Sequence, residues 1–238
     1  MIEPLVFLPG LMCDARLFQS QMTVLSQERA VTVDPVSTGE RIEEIASSLL
    51  DVLPRCFALA GFSMGGVVAL EVIRRAPERV SRLCLMSTDA QADTPQLAAA
   101  REDLIVGAQA GRLEDIMRDV IGSDALAPGP DRIPILNELL TMAVELGPDL
   151  FVRQLRALQR RPDQQGALRR INVPTLILCG VHDTLTPVRK HAFMTELIPN
   201  AELQVIDDAG HVPILESPQA VTDALQRWLS RPARLSHV

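Results

Sequence analysis

The sequence predicts an α/β fold, in which a mostly parallel sheet of about six strands is flanked by helices. Short runs rich in Val, Ile and Leu recur along the chain, and they are typical of strands buried on both faces. These runs are PLVFLPG, AVTVD, CFALAGF, VSRLCLMS, PTLILCG and AELQVID. Amphipathic segments lie between them, as in RIEEIASSLLDVL, whose apolar residues follow helical spacing at Ile42, Ile45, Ala46, Leu49 and Leu50. Strand alternates with helix, and this order favours parallel pairing.

One long interval breaks the alternation after the strand that ends near Ser87. Four helix-like segments follow one another there, separated by Gly and Pro: TPQLAAAREDLIVGAQA, RLEDIMRDVI, PILNELLTMAVEL and PDLFVRQLRALQRR. We interpret residues 91–170 as a helical cap inserted into a core made of residues 1–90 and 171–238. A separate helical bundle domain is the alternative for this interval.

Composition and charge exclude several classes of function. The chain has 238 residues, of which 47% are hydrophobic, and this is ample for a buried core. A net charge of -7 without any Lys/Arg run argues against nucleic acid or a membrane as the partner. The four cysteines are isolated and have no metal-ligand spacing. The N-terminus lacks a basic leader, and no apolar run approaches the ~20 residues needed to span a bilayer, so we expect a cytoplasmic protein.

A serine surrounded by glycines is the candidate nucleophile. Gly61-Phe62-Ser63-Met64-Gly65 forms a G-x-S-x-G sequence between the apolar run CFALAGF and the helix-like VVALEVIRRAP. At a strand-to-helix turn of this kind, neighbours without a Cβ let strand and helix approach closely and expose the serine hydroxyl. The sequence therefore places Ser63 at the carboxyl end of a strand, where open α/β sheets carry their ligands.

A serine hydroxyl needs a base, and His211 is the predicted one. It follows the strand-like AELQVI in the segment DDAGHVPILESP, and the preceding Gly210 is expected to leave the loop free to turn the ring toward Ser63. His182, just after another strand, is the rival. His191 falls within a helix and His237 in the terminal tail, so both are expected to be packed or solvated.

The base needs an acid to orient it, and Asp183 is the predicted one. Asp183 closes the segment LILCGVHD at the carboxyl end of a strand, so its carboxylate is able to reach the same rim as Ser63. Asp207 and Asp208 lie nearer to His211 in sequence, but aspartates in loops usually cap turns or face water. The predicted order along the chain is Ser63, Asp183, His211.

These motifs resemble the α/β-hydrolase fold family over nearly the whole chain. The residues that carry the resemblance are GFSMGG, LILCGVHDTLTP, DDAGHVPILESP and VFLPGLMCD, with the cap where this family inserts one. The resemblance implies a Ser-Asp-His hydrolase without a cofactor or metal. It also implies an oxyanion hole formed by the backbone N–H groups of Leu11, in the loop after the first strand, and of Met64, directly after the nucleophile. The side chains of Leu11 and Met64 would line the acyl pocket.

The sequence departs from the family pattern at three places. Pro9 stands where the family commonly has a histidine in the oxyanion loop, so the usual support of that loop is missing. The loop DPVSTGE after the second strand lacks the usual glycine-rich turn. The antiparallel hairpin that often opens the fold is expected to be missing, because the chain starts almost at the first parallel strand.

The cap is expected to select the substrate. Its apolar residues are aliphatic apart from Phe151, which favours an acyl or alicyclic substrate over a polyaromatic one. Arg153, Arg156 and Arg160 fall near one helical face, which is more typical of a solvated face than of a site for a substrate carboxylate. We expect a serine hydrolase that cleaves a small carboxylic ester, lactone or thioester. A carbon–carbon bond hydrolase or a perhydrolase with the same triad, and a non-catalytic ligand-binding protein, are the alternatives.

Overall fold

The computed structural model describes residues 2–233, and the predicted tail residue His237 lies outside them. Its centre is a six-stranded sheet with the order β2-β1-β3-β4-β5-β6, in which every neighbouring pair is parallel. The strands are β1 (Leu5–Leu8), β2 (Val31–Val33), β3 (Phe57–Phe62), β4 (Val80–Met86), β5 (Thr175–Gly180) and β6 (Ala201–Ile206). The predicted fold class and strand number are confirmed.

Burial of the strands follows their position in the sheet. Every residue of β1, β3, β4 and β5 is buried, as predicted. The prediction is wrong for β2 and for most of β6, which are partly exposed. These two strands form the edges of the sheet, where one neighbour and part of the helical cover are missing.

Helices connect the strands and cover the sheet. They are α1 (Gln19–Leu25), α2 (Ile42–Val52), α3 (Met64–Arg75), α4 (Pro95–Gln109), α5 (Leu113–Ile121), α6 (Arg132–Leu146), α7 (Pro148–Gln159), α8 (Gln165–Leu168), α9 (Val188–Leu197), α10 (Pro213–Glu216) and α11 (Pro218–Ser230). Short 3₁₀ turns lie at Ala15–Phe18 and Ser123–Ala125. On α2 the predicted apolar face is buried except for Leu50, which is half-buried.

Between β4 and β5, the described residues 87–174 contain only helices and loops. The apolar side chains of these helices, such as Leu139 and Leu155, join the same continuous core as Phe7 and Leu59 of the sheet. One hydrophobic core therefore links the inserted helices to the sheet. Within residues 2–233, no helix is both long and apolar enough to cross a membrane.

The parallel sheet brings several loops to one edge. Parallel strands all end on the same side, so the residues after β1, β3, β5 and β6 meet there although they are far apart in sequence. Leu11, Ser63, Asp183 and His211 belong to these four loops.

Candidate active site

The turn at Ser63 has a strained backbone that its glycines permit. Ser63 has φ 49° and ψ −114°, a conformation that residues with a side chain rarely adopt. A Cβ at Gly61 would lie 2.4 Å from the carbonyl oxygen of Gly65, and a Cβ at Gly65 would lie 2.1 Å from that of Leu8. A Cβ at Gly66 would lie 2.5 Å from Thr88 Oγ1. The glycines thus allow β1, β3 and α3 to meet closely behind the half-buried serine.

Ser63, His211 and Asp183 form one line of hydrogen bonds. His211 Nε2 lies 3.2 Å from Ser63 Oγ. His211 Nδ1 lies 3.0 Å from each oxygen of Asp183, whose carboxylate accepts hydrogen bonds but has none to donate when ionised. The proton of neutral His211 is therefore on Nδ1, which leaves Nε2 free to accept from the serine hydroxyl.

Asp183 is held as a buried carboxylate. Its oxygens accept hydrogen bonds from the backbone N–H groups of Leu185 and Thr186, at 3.0 and 2.8 Å, and from Thr186 Oγ1 at 2.7 Å. Burial raises the pKa of Asp183, but the hydrogen bond and charge of His211 and the Thr186 hydrogen bonds outweigh burial, so the pKa lies below its ordinary value. Asp183 is therefore ionised at neutral pH.

The loop that carries His211 is fixed, and the prediction that Gly210 leaves it free to turn is wrong. Glu216 accepts hydrogen bonds from the backbone N–H groups of Gly210 at 2.9 Å, Val212 at 2.8 Å and Ala127 at 2.6 Å. A Cβ at Gly210 would lie 2.3 Å from the carbonyl oxygen of Ala125. Glycine is needed here for close packing, because the loop is pressed against the segment before α6.

The rival candidates lie in other environments. His182 is exposed, whereas His191 is fully buried and its Nε2 accepts a hydrogen bond from the backbone N–H of Thr88 at 3.1 Å. Asp207 is exposed, and the exposed Asp208 accepts a hydrogen bond from Ser217 Oγ at 2.6 Å.

The loop after β1 packs directly on the nucleophile turn. A Cβ at Gly10 would lie 2.8 Å from the Phe62 ring and 3.4 Å from Ser63 Cβ. Leu11 and Met64 both line the cavity that contains Ser63 and His211. Gln154 of α7, which sequence reasoning missed, hydrogen-bonds to the loop through its side chain. This hydrogen bond is with Met12, in the same loop as Pro9, which stands where the family commonly has a histidine.

Two cavities open onto Ser63 and His211. The larger has a volume of about 340 Å³ and is lined mainly by apolar side chains of α3, α4 and the end of α7, with charged groups among them. The smaller has a volume of about 80 Å³, and its walls are apolar apart from Ser63 and His211. A cleft of about 660 Å³ between α3 and the segment after α8 is lined by none of the residues of the Ser63 site.

Arg153, Arg156 and Arg160, for which a solvated face was the favoured prediction, do not line the larger cavity. Arg156 pairs with Glu102 of α4, and Arg160 lies 3.7 Å from Glu40, both away from the cavity walls. The arginines that line the cavity are Arg101 and Arg161. No motif marks these two residues in the sequence. Within residues 2–233, no three His, Cys, Asp or Glu side chains are grouped to hold a metal ion.

A strained serine, a histidine and a buried aspartate at the carboxyl edge of a parallel sheet have the arrangement found in serine hydrolases. The family model described as "Alpha/beta hydrolase family" matches residues 5–224, and the chain belongs to this family.

The chain is also similar in sequence and in structure to known esterases. The chain is 30% identical to a pimeloyl-[acyl-carrier protein] methyl ester esterase of Aromatoleum aromaticum, over 76% of the chain and 77% of that protein. It is 26% identical to the biotin biosynthesis bifunctional protein BioHC of Teredinibacter turnerae, over 98% of the chain but 45% of that protein. Among solved structures, a thermophilic esterase from Thermogutta terrifontis superposes with a TM-score of 0.87 at 25% identity, covering 95% of this chain and 89% of the other.

Proposed function

We propose that the protein is a carboxylic ester hydrolase that acts through an acyl-enzyme on Ser63. The observation that carries this proposal is the hydrogen-bonded line from Ser63 Oγ through His211 to Asp183, at 3.2 and 3.0 Å. His211 Nε2 takes the hydroxyl proton as Oγ attacks the ester carbonyl, and then gives that proton to the departing alcohol. Water, deprotonated by His211, then attacks the acyl carbonyl; the bond to Oγ breaks, the acid leaves, and His211 returns the proton to Ser63 Oγ. Asp183 orients the ring and stabilises its cationic form.

The negative charge that develops on the carbonyl oxygen needs hydrogen-bond donors, and we assign the backbone N–H groups of Leu11 and Met64 to this role. Met64 is the first residue of α3. Its N–H therefore has no acceptor within the helix. The N–H of Leu11 makes no hydrogen bond to any of the described residues. One such donor typically contributes about 3 kcal/mol to transition-state stabilisation.

Residues 91–170 act as a cap over this site. The support is that α4 contributes Leu97 and Leu104, and α7 contributes Leu158, to the walls of the larger cavity, while Met117 of α5 and Leu139 of α6 line the smaller one. Substrate bound at Ser63 thus lies between the sheet edge and these helices. Mostly apolar walls reduce its contact with bulk water and strengthen the electrostatic interactions at the site.

The substrate is a small ester, lactone or thioester. The two cavities that meet at Ser63 provide room for the two sides of such a bond, and the Aromatoleum aromaticum relative is named for the hydrolysis of a methyl ester. A cytoplasmic location stays a prediction from the sequence.

Labelling with a fluorophosphonate tests the proposal without knowledge of the substrate. The probe should attach to Ser63, and not to Ser87, which lines the same cavity but whose Oγ has no hydrogen-bond partner among the described residues. Ser63→Ala should abolish both the labelling and the hydrolysis of simple esters. Equal labelling of wild type and Ser63→Ala, or a wild type that is inert over a broad ester panel, would contradict it.

A further inference from the structure

The larger cavity contains a cluster of charged residues from separate elements. Arg101 of α4 pairs with Asp93, and Lys190 of α9 pairs with Asp89. Arg161, just after α7, lies between the two carboxylates: its Nε is 3.0 Å from Asp93, and its terminal nitrogen is 3.9 Å from Asp89. Asp89, Arg101, Arg161 and Lys190 line the cavity and the buried side chain of Asp93 lies behind them; we call these five residues the charged end of the cavity.

The charged end contains one more positive than negative charge. Three cationic side chains face two carboxylates, and the cavity walls contain no other charged group except His211 if protonated. His191 packs behind Thr88 and is neutral at pH 7, because burial lowers its pKa to about 4. The ionised carboxylate of Asp183 is also nearby, but it is held by Leu185, Thr186 and His211 and does not line the cavity, so that three cations share two carboxylates at the charged end.

Water has little access to Arg161 and Arg101, whereas the side chain of Lys190 is 31% exposed. The side chain of Arg161 is 10% exposed and that of Asp93 is fully buried. Burial also lowers the pKa of Arg161, although Asp93 and Asp89 oppose that effect. Each cation already contacts a carboxylate, but three cations share two carboxylates, so an anion in the cavity would find charged hydrogen-bond donors in place.

The two cavities differ in the group that each can hold. Both reach Ser63 and His211, as an ester with two arms requires. The smaller, of about 80 Å³, has apolar walls and suits a short alkyl group. The larger, of about 340 Å³, runs from Ser63 to the charged end.

We propose that Arg101, Arg161 and Lys190 form a subsite for a carboxylate on the substrate, so that the enzyme prefers esters with one small apolar arm and one arm that ends in a carboxylate. This inference rests on the proposed function, since it assumes that the ester carbonyl is at Ser63. The half-ester of a dicarboxylic acid with a small alcohol is the simplest member of this class. Guanidinium and ammonium groups bind a carboxylate through charge-assisted hydrogen bonds.

Matched ester pairs test the subsite in the wild type. Monomethyl adipate and methyl hexanoate differ only in a terminal carboxylate or methyl group, and a series from succinate to suberate finds the best length. We expect kcat/KM to be at least about 10-fold higher for the half-ester. A second pair, a carboxyalkyl acetate against the corresponding alkyl acetate, tests the carboxylate on the alcohol arm. Preference for the carboxylate in either pair supports the subsite, whereas equal or lower turnover of both charged esters overturns it.

Two substitutions remove the surplus charge without leaving a buried carboxylate unpaired. In Lys190→Gln, Asp93 keeps Arg101 and Asp89 keeps Arg161; in Arg101→Gln, Asp93 keeps Arg161 and Asp89 keeps Lys190. Each should lower the preference for the half-ester by about 10-fold, through a higher KM with little change in kcat. Arg161 is left unchanged, because it is the residue of the charged end that contacts both buried carboxylates.

The matched control is Arg160→Gln, next to Arg161 in sequence but paired with Glu40 outside the cavity. It should keep the wild-type preference. A preference that falls equally in Arg160→Gln and Lys190→Gln overturns the subsite, because the effect would then follow overall charge. If only the subsite proposal is wrong, the fluorophosphonate will still label Ser63. If the proposed function is wrong, Ser63 will not be labelled.

Discussion

The side-chain oxygen of Gln154 accepts a hydrogen bond from the backbone N–H of Met12 at 2.9 Å, so that helix α7 is joined to the loop after β1. The side-chain amide of Gln154 donates to the carbonyl oxygen of Val36 at 3.0 Å. Met12 has a positive φ of 53°, which this hydrogen bond helps to hold. Gln154 is buried and therefore fixes the position of the neighbouring Leu11, one of the two proposed oxyanion donors.

Gln154→Met should impair catalysis more than binding. The substitution keeps the volume but removes both hydrogen bonds, so the Leu11 N–H is less well aimed at the developing oxyanion. We expect kcat for a simple ester to fall by about 10-fold with little change in KM, less than for the outright loss of a donor. Steady-state kinetics with an activated ester measure both parameters.

Gln159→Met is the control for this prediction. Gln159 is on the same helix and donates to the carbonyl oxygen of Ala98 at 2.8 Å, but it has no contact with the loop after β1. The Gln159→Met substitution should lower thermal stability without a selective loss of kcat. Equal kinetics in the two variants would exclude Gln154 as a positioning residue.

Asp183→Asn should abolish most activity while the fold is retained. The backbone N–H groups of Leu185 and Thr186 would hold the amide oxygen, so the NH₂ group would donate to His211 Nδ1, favour the tautomer that has its proton on Nε2 and leave no base for Ser63. Such a change lowers kcat by about 10⁴-fold in a serine protease triad. Asp207→Asn and Asp208→Asn should cost far less, because both side chains are exposed. If Asp208→Asn were inactive while Asp183→Asn stayed active, the acid of the triad would be Asp208 and not Asp183.

Glu216→Gln should loosen the loop that carries His211. An amide has one accepting oxygen in place of two, so at least one of the three backbone N–H groups at Glu216 is left without an acceptor. We expect the free energy of unfolding to fall by about 1–3 kcal/mol, measured by urea denaturation, together with a lower kcat. Glu202→Gln removes an exposed ion pair with Arg231 at 3.4 Å and should change stability by less than about 1 kcal/mol.

Folding stability should depend on pH through His191. Burial lowers its pKa to about 4 from an ordinary 6.5; the charges of Asp183 and Asp89 oppose burial, and His211 adds to it. Because the unfolded chain binds a proton more readily, the contribution of neutral His191 is full above pH 6.5 and is lost as the pH falls toward 4. The loss amounts to about 3 kcal/mol at most.

His191→Gln keeps an acceptor for the Thr88 N–H but cannot be protonated. The variant should lose less stability than wild type between these pH values, as urea denaturation at several pH values will show. His182→Gln, at an exposed position, should retain the wild-type dependence. If the free energy of unfolding of His191→Gln changed with pH as steeply as that of wild type, His191 would not be the titrating group.

The sequence alone was enough for the sheet, the helices and the residues of the proposed triad. Strand and helix periods are local properties, so VSRLCLMS and RIEEIASSLLDVL could be assigned without knowledge of their neighbours. Ser63 was found because the strand-to-helix turn around it is also local. Asp183 and His211 followed because parallel strands end on one side, which places any residue after a strand at a known edge.

Tertiary structure alone decided which strands are edges, what supports the active-site loops and which charges line the cavity. The exposure of β2 and β6 depends on strand order, which periodicity does not contain. Gln154 contacts Met12 across 142 positions, and Glu216 contacts Ala127 across 89. Arg101, Arg161 and Lys190 come from separate parts of the chain, while Arg160, one position from Arg161, points elsewhere. Such side chains carry no local signal, because their roles come from the groups that folding brings beside them.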